Sequence, residues 1–179
     1  MRHYSIFIAV LGLLFTLTSC QKNDYTSYLP SWKGFQFTRE GQIVNRTDIY
    51  AGDVITVTAL QDQKGRLINA TTYNWEVKAQ IPNADGVYVD SVFFTQSLHT
   101  NYDGTSNADP FIKFTIPPTA TGRATVSFNA SYSLSGQGVQ ISDGGDYSNS
   151  PNISGSIHST SSSMYGAARG SVNFTIKTQ

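Results

Sequence analysis

The chain has 179 residues, a formal net charge of zero and only 13% charged residues, where a soluble domain carries roughly a quarter. This balance excludes a nucleic-acid-binding function, because such proteins need a basic surface to neutralise phosphates. The single cysteine excludes an intramolecular disulfide, and no apolar run reaches the ~20 residues of a membrane-spanning helix.

The first twenty residues predict an export signal. Met1 to His3 form a short basic head and Tyr4 to Leu17 an apolar stretch, followed by small residues and Cys20. The order Leu17, Thr18, Ser19, Cys20 resembles the bacterial lipobox, which implies that residues 1–19 are removed and that Cys20 carries the lipid. Each acyl methylene buried in a membrane strengthens membrane binding by about 0.8 kcal/mol, so several chains on Cys20 would anchor the protein firmly. The alternative is an ordinary thiol behind an uncleaved anchor.

Removal of residues 1–19 leaves 179 − 19 = 160 residues, with 12 − 1 = 11 basic and 12 acidic side chains. This length predicts a single compact domain. Residues 21–27 are polar and without periodicity, which predicts a flexible tether over residues 20–32. Within it, Lys22 and Asp24 resemble the surface-export signal of Bacteroidetes lipoproteins, which implies an outer-membrane protein at the cell surface. A periplasm-facing position is the alternative.

The rest of the chain predicts strands, because apolar residues recur at every second position in runs bounded by Gly, Pro, Asn or Asp. Strands are predicted at 34–39, 53–60, 73–80, 87–95, 112–116, 124–132 and 172–177. No segment longer than a turn shows helical periodicity, so the class is all-β. About seven strands, each with one apolar face, bury those faces by pairing as an antiparallel two-sheet β-sandwich.

Three short segments give this strand order a family resemblance. Ala51-Gly52-Asp53 opens the second strand, Trp75 lies in the third, and Thr121-Gly122-Arg123 leads into the long penultimate strand. Together they resemble a bacterial Ig-like or PKD-like domain, here at residues 33–179. The resemblance implies that Trp75 packs across the middle of the sandwich rather than forming a ligand platform. The paired cysteines of antibody-type domains are missing.

Residues 133–169 form a Ser-, Gly- and Asn-rich stretch, which is predicted to be a long insertion before the last strand. One interpretation is low-complexity flexibility. Another is a small hairpin around a turn at 143–146, using Val139, Ile141, Ile153 and Ile157. A third is a recognition loop, in which Tyr147, Met164 and Tyr165 supply large contact surfaces among small adaptable residues.

A second predicted loop, 101–109, offers oxygen ligands for calcium at Asn101, Asp103, Ser106 and Asp109. It lacks the EF-hand spacing, and turns select the same residue types. No metal site is therefore predicted there, nor at Asp143 with Asp146, although calcium near Asp103 and Asp109 stays open.

Catalysis has little support in the chain. The mature sequence has two histidines, His99 and His158, and two glutamates, Glu40 and Glu76, and it contains neither a GxSxG nor an HExxH segment. No pair of opposed carboxylates stands out among the acidic residues. The sequence therefore predicts a protein that is not an enzyme and needs no cofactor.

The favoured function is a non-catalytic binding module on a membrane anchor, whose exposed tyrosines stack on a glycan or contact an envelope protein. The candidates for ligand contact are Tyr88, Tyr102, Tyr147 and Tyr165. The alternative is a structural or adhesive spacer, or an assembly subunit of the envelope that adds strands at an open sheet edge. Separately, Asp90-Ser91-Val92 resembles the O-glycosylation acceptor of Bacteroidetes, which predicts a modified Ser91.

Overall fold

A computed structural model describes residues 27–105, 108–135, 139–140, 154–160 and 163–178, with side chains for residues 27, 29–101, 108–135 and 166–178. These residues form strands and turns without a helix, which confirms the all-β class, and no membrane-crossing helix is found among them. The strands are β1 (Ser27–Tyr28), β2 (Ser31–Arg39), β3 (Gln42–Ile43), β4 (Ile49–Tyr50), β5 (Val54–Gln63), β6 (Arg66–Pro82), β7 (Tyr88–Thr105), β8 (Phe111–Thr115), β9 (Thr121–Leu134), β10 (Val139–Gln140), β11 (Ser154–Thr160) and β12 (Ser163–Lys177).

The strands form two sheets. The larger has eight strands in the order β10-β1-β6-β9-β12-β11, with β7 paired to β6 and β4 paired to β12, and the smaller has the order β3-β2-β5-β8. The long pairings are antiparallel, while β1 with β10 and β4 with β12 are short parallel contacts. The structure has twelve strands where the sequence predicts seven. Four of the additional strands, β1, β3, β4 and β10, are only two residues long, too short to show an alternating pattern.

Aromatic side chains from both sheets meet in one core. Phe37 of β2 lies 5.6 Å from Phe174 of β12 between ring centroids, and Trp32 of β2 lies 5.2 Å from Phe128 of β9. Trp75 is 3% exposed, so its predicted place in the core is confirmed. The two sheets therefore face each other in a β-sandwich-like arrangement.

The turn before β5 contains the predicted Ala51-Gly52-Asp53 segment, and its geometry explains the glycine and the aspartate. Gly52 has a φ of +88°, a conformation that glycine adopts without strain. Asp53 Oδ2 accepts hydrogen bonds from the Tyr50 backbone N–H at 2.9 Å and from Arg39 Nη1 at 2.8 Å. The turn thus ends at a fixed carboxylate, and β5 begins at the next residue, Val54.

The folded body begins earlier than the predicted start at residue 33. Ser27, Leu29 and Trp32 are at most 2% exposed, although the sequence predicts a flexible tether over residues 20–32. The physical reason is that the side chains of Leu29 and Trp32 fill space in the core, which offsets the entropy cost of ordering this segment.

Two long strands also extend beyond their predicted limits. Strand β7 continues through residues 101–105, in the predicted second loop, and β12 begins at Ser163, within the predicted insertion 133–169. Strand β11 pairs antiparallel with β12, and Ile157 pairs with Gly166. Val139 lies in β10 and pairs with Ser27. The predicted turn at 143–146, with Ile141 and Ile153, lies outside the described residues.

Candidate functional site

The outward-facing side chains of β7, β6, β9 and β12 form a continuous surface that is polar in its central rows except for Val92, and we call it the polar face. Alternation along each strand sends the apolar half of the residues inward and leaves the polar half at the solvent. The strand register arranges the outward half in three cross-strand rows: Ser97-Asn74-Asn129-Arg169, Thr95-Glu76-Ser127-Ser171 and Val92-Lys78-Thr125-Asn173.

A shallow depression of about 750 Å³ lies over the first two rows. Its lining combines the amides of Asn74 and Asn129, the carboxylate of Glu76 and the guanidinium of Arg169 with the hydroxyls of those rows. Amides and hydroxyls both donate and accept hydrogen bonds, whereas the two charged groups do only one each. The depression therefore offers donors and acceptors side by side, as a ligand with many hydroxyl groups requires.

The borders of the polar face are internally hydrogen bonded. Lys78 Nζ lies 2.8 Å from Glu76 Oε1, and this hydrogen bond raises the pKa of Lys78. Thr125 Oγ1 donates to Asn173 Oδ1 at 2.8 Å. The ammonium of Lys78 and the Thr125 hydroxyl are thus held in place at one end of the depression.

The centre of the polar face differs from its borders. Asn129 Oδ1 is buried and has no hydrogen-bond partner among the described residues. A buried acceptor without a partner costs about 1–3 kcal/mol. This oxygen is closed to solvent, so a hydroxyl or amino group of a ligand would remove the cost only after the Asn129 side chain rotates toward the depression.

The four candidate contact tyrosines do not form one group, because the strand register puts Tyr102 and Tyr165 at one end of the larger sheet and Tyr88 at the other. Tyr88 is 51% exposed and pairs with Pro82 at the end of β6. Pro82 is eight residues from Asn74, so Tyr88 lies roughly 27 Å along the strand from the depression. The backbone of Tyr165 pairs with Ser133, near the other end of β9. Tyr102 lies in β7, and Tyr147 lies outside the described residues.

Of the oxygen-bearing residues considered as calcium ligands, Asn101 and Asp109 line one cavity, and Ser106 lies outside the described residues. Asp109 Oδ1 accepts a hydrogen bond from the backbone N–H of Gln61 at 2.8 Å, so this carboxylate holds the end of β5. The side chain of Asp103 lies outside the described residues. Among the side chains that the structure describes, no three His, Cys, Asp or Glu residues form a cluster.

The two predicted modification sites differ in what the structure describes of them. Ser91 lies in β7, pairs with Ala79 of β6 and is half-buried. Its hydroxyl lies 3.4 Å from the carbonyl oxygen of Val89. Cys20 lies outside the described residues. Lipidation of Cys20 and glycosylation of Ser91 both stay predictions.

The residues of the depression were not predicted as a site. The signal in the sequence is the polar half of each alternating run, which contains Asn74, Glu76 and Asn129. Alternation alone does not say which residues of different strands lie side by side. Comparisons with protein-family models, curated proteins and solved structures find no match for this chain, so a functional proposal depends on its own residues.

Proposed function

We propose that this protein is a non-catalytic binding module for a glycan, held on the outer membrane by a lipid on Cys20. The observation that supports it is the depression of the polar face, with its adjoining amides, hydroxyls, carboxylate and guanidinium. The proposal includes the Ig-like or PKD-like type of sandwich, for which the turn before β5 and the buried Trp75 are the supporting features.

The composition of the depression favours a glycan over a protein as its ligand. Tight protein interfaces depend on a few large apolar or aromatic anchors that enter pockets on the partner. The side chains that point outward at the depression are polar and none is aromatic, and Trp75 and Phe128 below them point into the core. Sugar rings instead need many directional hydrogen bonds over a shallow surface, which the two rows provide.

The anchor on Cys20 places the binding module on a membrane, and the cell surface is the proposed side. The intact mass of the native protein tests the anchor: we expect loss of residues 1–19 and a gain corresponding to acyl chains. The same spectrum, mapped to peptides, tests the modification of Ser91. Digestion of the protein by a protease added to intact cells would support the surface, whereas protection would indicate the periplasm-facing alternative.

The glycan proposal predicts a loss of binding when the depression loses two of its hydrogen-bonding side chains. Asn74→Ala with Arg169→Ala is expected to weaken binding at least about 10-fold, since each lost hydrogen bond is worth roughly 1 kcal/mol and 1.4 kcal/mol is tenfold. The measurement is titration of the full-length protein in detergent with the glycan that binds most tightly on a glycan array.

The matched control is Gln42→Ala, which removes an exposed amide from β3 in the other sheet. We expect this variant to bind with unchanged affinity. Absence of any glycan ligand on the array, or equal losses in the two variants, would contradict the proposal.

The edge of the larger sheet favours a second candidate function, an assembly subunit of the envelope. Among the described residues, β7 pairs only with β6, so its other side presents free backbone donors and acceptors. Five of the eight exposed large apolar side chains that the structure describes lie on or beside β7: Val87, Tyr88, Val89, Val92 and Leu98. Edge strands are protected by charges such as lysine, by proline or by bulges. Strand β7 contains neither lysine nor proline, and its register shift at Phe93 is a protective feature near the exposed valines. Such an edge suits strand pairing with a second copy.

If β7 pairs with a second copy, Val92→Glu is expected to weaken the dimer, because each copy loses an apolar cross-strand contact worth about 0.2–1 kcal/mol and gains a negative charge at the shared edge. The new carboxylate lies opposite Lys78, which lets the single molecule tolerate it. Sedimentation of the full-length protein in detergent gives the readout, with Ile43→Glu as the control because Ile43 is 72% exposed on β3. A wild-type protein that is monomeric at all concentrations would remove this candidate.

A further inference from the structure

A second cavity, of about 540 Å³, lies where the polar face ends. We call it the arginine cavity, and its lining includes Asn45, Arg46, Thr47, Arg123, Asn173 and Thr175. Arg123 of β9 pairs with Thr175 of β12, and the Thr175 backbone N–H donates to the carbonyl oxygen of Arg46 at 2.8 Å. This hydrogen bond holds the segment before β4 against the edge of the polar face and so brings Arg46 to the same cavity as Arg123.

The arginine cavity carries positive charge that the described residues do not neutralise. No acidic residue lines it, and neither Arg46 nor Arg123 has an ion pair within the described ranges. Asp48, the nearest acidic residue in the sequence, is engaged elsewhere, because its Oδ1 lies 3.1 Å from Lys177 Nζ and accepts from the Tyr50 hydroxyl at 3.2 Å. Two arginines therefore line one cavity without an acidic partner.

The side chain of Asn45, which lines the arginine cavity, has a fixed amide orientation. Its Oδ1 accepts from the backbone N–H of Thr47 at 3.1 Å and from the Thr47 hydroxyl at 3.0 Å. Because a backbone N–H only donates, the oxygen must be the atom facing it, which leaves Nδ2 to donate elsewhere. The arginine cavity is thus rich in donors, and its amide acceptor at Asn45 is already occupied.

We infer that the arginine cavity binds an anionic group, a carboxylate or a sulfate ester, carried by the glycan that the polar face binds. Guanidinium groups bind such planar or multi-oxygen anions through paired hydrogen bonds. Thr175, at the arginine cavity, lies four residues along β12 from Ser171 of the depression, roughly 13 Å. One extended ligand therefore spans both sites. This inference rests on the proposed glycan function and narrows it to acidic glycans.

The test is binding of the full-length protein in detergent to polygalacturonate, to its methyl ester, to a sulfated dextran, to neutral dextran and to inorganic sulfate. We expect the charged polymers to bind at least 10-fold more tightly than the neutral and esterified ones, with an affinity that falls as salt rises. Arg46→Gln with Arg123→Gln should remove that advantage. Lys113→Gln, which removes an exposed charge on β8, should not.

The possible outcomes separate this inference from the proposed function. Binding of neutral and charged polymers with equal affinity, unchanged in the double variant, would overturn the acidic-glycan inference and leave the glycan function standing. Failure of every polymer to bind would overturn the acidic-glycan inference, and the glycan function would fall with it only if the glycan array also showed no ligand. Arginine-dependent binding of inorganic sulfate without binding of any polymer would also overturn the inference, because the anion would then be a free ion rather than part of a glycan.

Discussion

Replacing Phe128 with alanine is expected to lower the free energy of unfolding by about 3–5 kcal/mol, the usual cost of removing a buried phenylalanine. Phe128 is 2% exposed and is the centre of the aromatic core. Its ring centroid lies 5.2 Å from that of Trp32, 6.1 Å from Phe35, 5.9 Å from Tyr73 and 4.6 Å from Trp75. Two of these partners come from the smaller sheet, so the cavity left by alanine would lie between the sheets, where neighbouring strands have little freedom to close it.

The measurement is denaturant unfolding of the full-length protein in detergent, followed by tryptophan fluorescence. Phe111→Ala is the control, because Phe111 is 60% exposed on β8 and a surface change usually alters stability by about 0.5 kcal/mol or less. If Phe128→Ala does not fold, Phe128→Leu, which keeps most of the volume, gives the readout with a smaller loss. Equal stabilities of the Phe128 and Phe111 variants would contradict the arrangement of the core.

The inward residues of this core were predictable because they follow from local alternation. Trp75 has a polar residue on either side in the sequence, so alternation predicts that its side chain lies on the apolar face of β6. The same alternation predicts an inward Phe128 in β9. The turn at Ala51-Gly52-Asp53 was also readable, because a glycine with positive φ and a capping aspartate leave a local signature. Features that depend on neighbours within a few residues are therefore accessible from the sequence.

Features that depend on contacts between distant residues were not accessible. Asn74, Asn129 and Arg169 share a row only because three strands pair in one register. Arg46 lines the same cavity as Arg123 only because its loop is held against β12. Polar residues of β7 at 101–105 read as a loop, but backbone pairing with β6 keeps them extended. Long-range pairing thus decides both the candidate site and the extent of the longest strands.

The contact between Leu29 and Gly166 is another long-range feature, and it predicts a strong coupling between two substitutions. A Cβ at Gly166 would lie 3.1 Å from Leu29 Cδ1, 3.2 Å from Leu29 Cγ and still closer to Cδ2. Gly166→Ala is therefore expected to destabilise the fold by about 1–3 kcal/mol through overpacking. Leu29→Ala, which empties a site that is 2% exposed, is expected to cost about 2–5 kcal/mol.

The double variant should lose less than the sum of the two single variants, by about 0.5–3 kcal/mol, because alanine at position 29 makes room for the new Cβ. Denaturant unfolding measures the four proteins of the cycle, and Ser171→Ala, an exposed change on the same strand β12, should couple to Leu29→Ala by less than about 0.5 kcal/mol. Strict additivity at Gly166 would mean that Leu29 does not dock there. If it docks, only residues 21–26 separate the body from the proposed lipid on Cys20, a reach of about 20 Å at full extension. The binding module would then be held close to the membrane rather than on a long tether.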